Sequence, residues 1–325
     1  MSHLIRVGVL RGGPSSEHEV SLRSGLAVLQ AIDKYHGHKY EPHDVVIKKG
    51  GLFELDGLPI GIGNLHSKVD LVFNALHGHY GEDGKVQNIL DIHGIPYTGS
   101  DALSSAIGMN KILSKKVFTD HGIKTPIHRE IHSIDIKNDL DVILNDLFKT
   151  FVLPGIVKPT SGGSSVGVTV VRDFTEFPAA LKKAAEHGHS VILEQYIPGI
   201  EATCGVIQGF RGQELYALPP IEIRPAAGFF DYDSKYSGQS REIVPATFSN
   251  KIKMQIEELA RKIHRAFGLR HYSRSDFIIH PRWGIYALEV NTLPGLTEES
   301  LLPKALRAVG SDLHELVGHV LELAL

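Results

Sequence analysis

The sequence predicts an α/β fold, and three observations support this class. Short apolar runs typical of buried strands alternate along the chain with stretches of helical periodicity. Hydrophobic residues make up 42% of the chain and charged residues 22%, which is ordinary for a globular protein with a substantial core. At about 150 residues per domain, the 325 residues correspond to two domains or to three small ones.

The first part of the chain contains two predicted strands and two helical stretches. The apolar run Ile5–Leu10 predicts a buried strand, and the Gly-Gly-Pro turn after it leads into a helix that ends near Ile32. Val69–Ala75 predicts a second buried strand. The turn-rich segment Pro96–Ser100 is a candidate domain boundary, and helical periodicity resumes over Asp101–His121.

The second part continues the alternation up to one long irregular segment. Pro198 and Gly199 form a second candidate boundary. The segment Pro225–Pro245 has no clean periodicity but carries four aromatic side chains, so it is predicted to be a functional loop rather than a disordered one. Further strands are predicted at Ile156–Lys158, Val168–Val171 and Val191–Glu194, and a C-terminal helix at Ser311–Leu325.

Charge and composition exclude several classes of protein. Lys and Arg number 34 against 37 Asp and Glu, a net charge of −3, which argues against nucleic acid or an anionic membrane as the main partner. The single cysteine, Cys204, excludes an intramolecular disulfide. No secretory signal or long apolar span is evident, so we expect a cytoplasmic protein. The 19 histidines lack the spacing of a zinc site, which favours surface or hydrogen-bonded roles.

An antiparallel hairpin is predicted where two apolar runs flank a short Pro/Gly turn. The runs are 273–280 and 285–291. With the turn centred between Arg282 and Trp283, Asp276 faces Glu289 across the pair.

This hairpin carries the strongest metal-binding pattern in the chain. Asn291 lies on the same face of its strand as Glu289, two residues away. Opposed carboxylates repel one another unless a cation lies between them, and such oxygen ligands suit Mg²⁺ bound together with nucleotide phosphates. The alternative interpretation is a strand rim on which Asp276 pairs with Arg274 or a lysine.

A second pattern is a loop rich in glycine and serine. It follows the predicted strand that ends at Lys158 and extends to Gly167. The backbone N–H groups of such a loop can fold over phosphates. This is not the Walker pattern, whose lysine follows its glycines, and a mobile surface turn is the alternative.

The N-terminal segment Gly12–Val20 follows a strand and opens a helix, a position that favours negative charge. Ser16 and Glu19 have the spacing of a capping box, which gives Glu19 a structural role. That leaves Glu17 to bind a substrate ammonium group, or to remain a solvated side chain.

A final pattern leaves the metal-binding strand through a Pro-Gly turn. Gly295 could bring a backbone N–H close to a reacting oxygen. Ser300 and the neighbouring amide lie further on, where they suit a carboxylate. An ordinary strand-to-helix connection is the alternative.

Together these motifs resemble the D-alanine–D-alanine ligases, a family of ATP-grasp carboxylate–amine ligases. The resemblance covers nearly the whole chain and keeps the order of the motifs. It is carried by the segments GGPSSEHEVS, ALHGHYGEDG, IGMNK, VKPTSGGSSVGV, LEQYIPGIE, FFDYDSKY, RSD and LEVNTLPGLTEESLLP.

The resemblance implies a three-domain ATP-grasp architecture with ATP between the second and third domains. The expected limits are 1–101 for a doubly wound N-terminal α/β domain, 102–197 for a central subdomain, and 198–325 for a C-terminal subdomain with the metal site. In the C-terminal subdomain, the segment Pro225–Pro245 would close over the site as a lid loop. It also implies two Mg²⁺ ions, with Mn²⁺ as the alternative, and a homodimer.

The resemblance further implies which residues bind the nucleotide and the metal. Lys111 and Lys158 would contact ATP phosphates, and Glu201 would hold the ribose. The other nucleotide contacts would be Ser165, Glu194, Gln195, Tyr196, Ile197 and Lys235. The metal ligands would be Asp276, Glu289 and Asn291, the trio that the hairpin pattern also selects.

The substrate residues follow from the same resemblance. Glu17 would take the ammonium of the first D-alanine, with His77 near its carboxylate, and Ser300 and Leu301 would hold the carboxylate of the second. Tyr236, on the lid loop, would join Glu17 and Ser164 in a hydrogen-bonded set. Arg274 and the Gly295 N–H would stabilise the oxyanion.

The implied reaction joins two D-alanines for peptidoglycan precursor synthesis. ATP converts one carboxylate to an acyl phosphate, which the second amine attacks. The closest alternative is a relative with another acceptor such as D-lactate, against which Tyr236 argues. A catalytically inactive nucleotide-binding module is a third interpretation, opposed by the clustered charges.

One run departs from the family pattern. The family usually has Cys-x-Gly-x-x-Arg-x-Asp before the hairpin, and this chain has Leu269 through Asp276 in its place. Arg274 and Asp276 are kept, but His271 replaces the glycine, so we expect different local packing there.

Overall fold

The computed structural model describes residues 4–162, 167–224 and 241–325. These residues form three β-sheets with helices packed on them, which confirms the predicted α/β class. Within the described ranges, no helix combines the length and apolar content needed to cross a membrane.

Five strands form the first sheet: β1 Ile5–Gly12, β2 Tyr40–Ile47, β3 Phe53–Leu55, β4 Leu58–Ile60 and β5 Leu71–Asn74. Its helices are α1 His18–Ala31, α2 Ile62–Leu65 and α3 Lys85–Ile92, and a π-helical turn, Ile32–His36, extends α1. The strand order is β4-β3-β2-β1-β5. Because β1 lies between two parallel neighbours, its apolar run is continuous rather than alternating.

The predicted capping box at Ser16 and Glu19 is wrong. The helix α1 begins at His18 with Glu17 at the N-cap, and no side chain caps it. Ser15 organises this turn instead, because its hydroxyl accepts from the Glu17 N–H at 3.1 Å and donates to the His77 carbonyl at 2.7 Å.

Four strands form the second sheet: β6 His128–His132, β7 Gly155–Pro159, β8 Thr169–Val171 and β9 Ser190–Gln195. The helices of this part are α4 Ala102–Met109, α5 Lys111–Asp120, α6 Ser133–Asn138, α7 Leu140–Thr150 and α8 Phe177–Ala185, with a 3₁₀ turn at Phe174–Glu176. The helical stretch predicted over 101–121 is broken at Asn110. Its backbone is extended, and its side-chain oxygen caps α5 by accepting from the N–H groups of Ile112 and Leu113.

Six strands form the third sheet: β10 Ile200–Gln208, β11 Leu215–Ala217, β12 Ile221–Arg224, β13 Arg241–Ile243, β14 Tyr272–His280 and β15 Gly284–Asn291. Its helices are α9 Asn250–Ala266, α10 Leu301–Ala308 and α11 Leu313–Leu323, with a 3₁₀ turn at Phe210–Gly212. The path through the sheet is β13-β12-β10-β14-β15, and β11 pairs with β10.

The hairpin of β14 and β15 confirms the predicted pairing and corrects its turn. His280 pairs with Gly284, so the turn is centred on Arg282 alone. The pairing register then shifts at Leu288, an extra residue that has no partner on β14. This bulge compensates for the different turn, and Asp276 does face Glu289.

Two hydrophobic cores cross the predicted domain limits. Val7 of β1 and Val28 of α1 share a core with Val317 of α11. Phe118 of α5 packs in the core of the third sheet with Phe277. Each predicted domain contains one sheet, and the second sheet has a core of its own, but these two shared cores leave the limits at 101 and 197 as predictions.

Candidate functional site

The hairpin presents four polar side chains on one face. Arg274 lies opposite Asn291, and Asp276 lies opposite Glu289. Arg274 donates to both carboxylate oxygens of Asp276, from Nε and from Nη2, at 2.9 Å each. Thr203 on β10 donates to Asp276 Oδ1 at 2.5 Å. The arginine pair of the alternative interpretation is therefore formed, inside the cluster that was predicted to bind metal.

The charges on this face are strongly coupled. Burial by itself would lower the pKa of the Arg274 guanidinium, but the Asp276 carboxylate outweighs burial and raises that pKa above its ordinary value. Arg274 consequently stays protonated and is held in one orientation by a bidentate pair.

The donor set on the hairpin fits a hard divalent cation. Within the described ranges, no three His, Cys, Asp or Glu side chains are grouped so that they could hold a metal ion. A metal on this face would therefore depend on the two carboxylates, the Asn291 amide oxygen, and oxygens from outside the chain, such as phosphate. This matches the way Mg²⁺ is usually bound beside a nucleotide.

Lys111 connects the hairpin with the glycine-rich loop. Its Nζ donates to the Gly162 carbonyl at 2.8 Å and lies 3.7 Å from Glu289 Oε2. Its backbone N–H donates to the Thr160 carbonyl at 2.8 Å. Burial lowers the pKa of the Lys111 ammonium, and Glu289 only partly offsets this. A predicted phosphate contact thus lies beside a predicted metal ligand.

Lys158, one residue before the end of β7, lies beside a buried carboxylate. Its Nζ lies 3.0 Å from Glu194 Oε2. The other oxygen of Glu194 lies 3.1 Å from Nζ of Lys115, a residue that no motif in the sequence selected. One signal could have found it, since Lys111 and Lys115 are four residues apart on one helix and share a face.

The segment from Glu194 to Glu201 crosses from the second sheet to the third. Glu194 and Gln195 end β9, and Glu201 follows Ile200 at the start of β10. The Tyr196 N–H donates to the Pro154 carbonyl at 3.1 Å. Ile197 is buried, and the predicted nucleotide contacts Glu194 to Ile197 lie where the chain passes from the second sheet to the third.

Three loops meet at the predicted substrate residues. The His77 ring lies 3.0 Å from the Leu293 carbonyl through Nδ1 and 2.8 Å from Ser24 Oγ through Nε2. A carbonyl only accepts, so Nδ1 donates, and in the neutral ring Nε2 accepts from the serine. Glu17 lies beside this loop, since a Cβ added to Gly78 would be 2.6 Å from Glu17 Oε2.

Sequence reasoning also missed Glu82 in this region. Its Oε1 lies 3.9 Å from His77 Nδ1. Burial raises the pKa of the Glu82 carboxyl, while His77 opposes the rise. Glu82 lies on the loop between β5 and α3 with its side chain only 12% exposed, which makes it a candidate functional residue.

Gly295 and Ser300 are neighbours at the start of α10. A Cβ on Gly295 would lie 2.7 Å from Ser300 Oγ, so a larger residue there would displace this hydroxyl. Ser300 is the N-cap residue, but its hydroxyl is engaged by Thr297 at 2.8 Å rather than by the helix. The helix begins at Leu301, and its first N–H groups favour an anion.

Four predicted site residues lie outside the described residues: Ser164, Ser165, Lys235 and Tyr236. The predicted set of Glu17, Ser164 and Tyr236 therefore stays a prediction, as does the closing of the lid loop.

Two family models match most of the chain. The family model described as the D-ala D-ala ligase C-terminus matches residues 117–322, and the one described as the D-ala D-ala ligase N-terminus matches residues 59–100. A D-alanine–D-alanine ligase of Desulforamulus reducens is 40% identical over 99% of both chains.

Two solved structures are similar over nearly the whole chain. The VanG D-Ala:D-Ser ligase of Enterococcus faecalis has a TM-score of 0.87 at 30% identity and covers 99% of this chain and all of its own. The D-alanine–D-alanine ligase of Coxiella burnetii has a TM-score of 0.81 at 27% identity, covering 98% and 95%.

The three sheets and the charged hairpin define an α/β enzyme of the ATP-grasp class. Within that class, the chain belongs to the D-alanine–D-alanine ligase family, whose members form C–N bonds. The family is ATP-dependent and generally uses divalent metal ions.

Proposed function

We propose that the chain joins two molecules of D-alanine into D-alanyl-D-alanine, a peptidoglycan precursor, with conversion of ATP to ADP and phosphate. The observation that carries the proposal is the position of Lys111, whose Nζ lies 3.7 Å from Glu289 Oε2. This contact brings Lys111, which is expected to bind the phosphates, next to Glu289, which is expected to bind the metal.

Binding would divide between two sides of the hairpin. Lys111 and Lys158 would contact the phosphates, and Glu201 the ribose. Asp276, Glu289 and Asn291 would hold the divalent metal, which when bound offsets the negative charge of the phosphates. On the other side, Glu17 would take the ammonium of the first D-alanine.

The chemistry requires activation of a carboxylate. The carboxylate oxygen of the first D-alanine bonds to the γ-phosphorus, the bond to ADP breaks, and an acyl phosphate forms. The amine of the second D-alanine, having lost a proton, then attacks the acyl carbon and phosphate leaves. Arg274 and the Gly295 N–H would stabilise the oxyanion between these events.

His77 has a more limited role in this proposal than the family resemblance suggests. Both ring nitrogens already have protein partners, Leu293 and Ser24. The ring therefore joins its own loop to the loop at Leu293 and to helix α1, and it would have to exchange one bond to contact a substrate carboxylate.

The choice of acceptor can be tested directly. We expect ADP release with D-alanine alone and very little with L-alanine, measured with ATP and magnesium. D-Serine enters the comparison because a structural relative is named a D-Ala:D-Ser ligase. A clear preference for D-serine or D-lactate at neutral pH would contradict the dipeptide product.

The metal assignment has a test of its own. Glu289→Ala should lower turnover about 100-fold, because it removes one of the expected metal ligands.

Further expectations rest on family membership. We propose two Mg²⁺ ions rather than Mn²⁺, a homodimer, and action in the cytoplasm, where ATP is available. Metal titration of the activity and the mass of the protein in solution test the first two.

A further inference from the structure

Two lysines share one buried carboxylate next to the proposed phosphate site. Glu194 lies between them, with Oε2 3.0 Å from Lys158 Nζ and Oε1 3.1 Å from Lys115 Nζ. The Lys158 side chain is 11% exposed, whereas that of Lys115 is 0% exposed. Lys115 therefore has no access to a substrate, and its ammonium group acts only on other residues of the chain.

Lys115 is anchored to three parts of the fold. Its Nζ donates to Thr125 Oγ1 at 2.8 Å, and that hydroxyl donates to the Ala287 carbonyl of β15 at 2.8 Å. These two bonds tie the ammonium on α5 to the strand that carries Glu289, and the ion pair with Glu194 ties it to β9.

The charges of this cluster support one another. Burial alone would raise the pKa of the Glu194 carboxyl, but Lys115 and Lys158 overcome it and lower the pKa to about 2. Burial lowers the pKa of Lys115 to about 8, against the opposing effect of Glu194. A buried charge is stable only with such a partner, so each group depends on the other.

We propose that Lys115 is a positioning residue for the nucleotide site, which acts by holding Glu194 in the orientation that fixes the Lys158 ammonium. Each oxygen of Glu194 forms an ion pair with a different lysine. Lys115 holds Oε1 from the interior, and Oε2 faces Lys158. Without the interior lysine, the carboxylate can turn, and Lys158 loses its fixed position. The inference rests on the proposed function for the contact between Lys158 and ATP.

Lys115→Met tests this, because it removes the ammonium and keeps a side chain of similar length. We expect the dissociation constant for ATP with magnesium, measured by calorimetry, to rise about tenfold, and the KM for D-alanine to change less than about twofold. The matched control is Lys116→Met on the exposed face of the same helix, where Lys116 pairs with Asp120 at 3.0 Å. That variant should bind ATP as the wild type does.

A second variant separates positioning from stability. Lys115→Met combined with Glu194→Gln removes both interior charges, so the folded state should regain stability lost in the single variant. Glu194 is itself an expected nucleotide contact, so Glu194→Gln alone is the reference for the double variant. Because Lys115 acts through Glu194, adding Lys115→Met to Glu194→Gln should weaken ATP binding no further. Wild-type ATP affinity in Lys115→Met, or a further tenfold loss on adding it to Glu194→Gln, would overturn the proposal. If Lys115→Met does not fold, the comparison of the double variant with Glu194→Gln decides.

These measurements remain informative if the proposed reaction is wrong. A wild-type protein that binds ATP but joins no D-alanine would refute the proposed function. The ATP affinities of the variants would still test whether Lys115 positions the nucleotide site.

Discussion

His271 stands where the family usually has glycine, and its backbone shows why. Its φ is 63°, in the left-handed region that glycine adopts without strain. The side chain compensates, because Nδ1 accepts from the Gly99 N–H at 3.0 Å. The backbone N–H also donates to Gln208 Oε1 at 3.0 Å. The packing at this position thus differs as expected, because the His271 side chain forms a hydrogen bond with the loop after Tyr97.

Replacing His271 by alanine and by glycine separates backbone strain from the lost hydrogen bond. Both variants leave the Gly99 N–H without its acceptor, but only alanine keeps the strain, which costs about 1 kcal/mol. We expect His271→Ala to unfold at lower urea concentration than His271→Gly, with circular dichroism as the measurement. Equal midpoints would show that the backbone there is unstrained.

At the scale of single elements, α3 is bounded by two glycines with different surroundings. Gly84 precedes the helix with φ of 86°, and Gly94 follows it with φ of 62°. A Cβ on Gly84 would lie 2.3 Å from the Ala102 carbonyl oxygen, which is backbone and cannot move aside. A Cβ on Gly94 would meet no atom within 4 Å.

Alanine at these two sites should therefore have unequal effects. Gly94→Ala meets only the unfavourable φ and should destabilise by about 1 kcal/mol. Gly84→Ala adds a backbone collision next to the predicted substrate loops and should destabilise by more than about 3 kcal/mol. Thermal unfolding of both variants measures the difference. Similar losses would mean that the start of α3 can shift to accommodate a side chain.

The whole molecule is held together by contacts between distant parts of the chain. His36 Nε2 lies 2.7 Å from the His314 carbonyl, which connects the first sheet's helix with α11. His264 and His271 are buried near the junctions of the third sheet. Burial, reinforced by the neighbouring arginines, lowers the pKa of each imidazole to about 4.

These two histidines predict a loss of stability in mild acid. In the unfolded chain they take up protons below about pH 6.5, whereas in the folded chain they stay neutral until about pH 4, so lower pH favours unfolding. Each can contribute up to about 3 kcal/mol across this interval. We expect the unfolding temperature to fall between pH 6.5 and 4, less steeply in His264→Gln. An identical slope in that variant would rule out His264 as a cause.

The sequence pattern predicted most of the elements correctly for physical reasons, whereas the roles of the site residues stay predictions. The alternating apolar runs predicted the strands because each run has the length of a strand and is apolar enough to be buried. The hairpin pairing of Asp276 with Glu289 was correct although the turn was misplaced, since a bulge at Leu288 restores the register. The capping box failed because α1 begins two residues after Ser16. Four of the predicted site residues lie in 163–166 and 225–240, outside the described residues, and the roles of the others also stay predictions.

The sequence by itself determined the α/β class, the antiparallel hairpin and the oxygen-bearing side chains on its face, because these follow from local periodicity and from side-chain chemistry. Only the tertiary structure decided that Lys115 and Lys158 share Glu194, and that Glu82 lies beside His77. Such groups have no local signature. Their charges are stable in the interior only because residues distant in the sequence fold against them and replace the water that they lose.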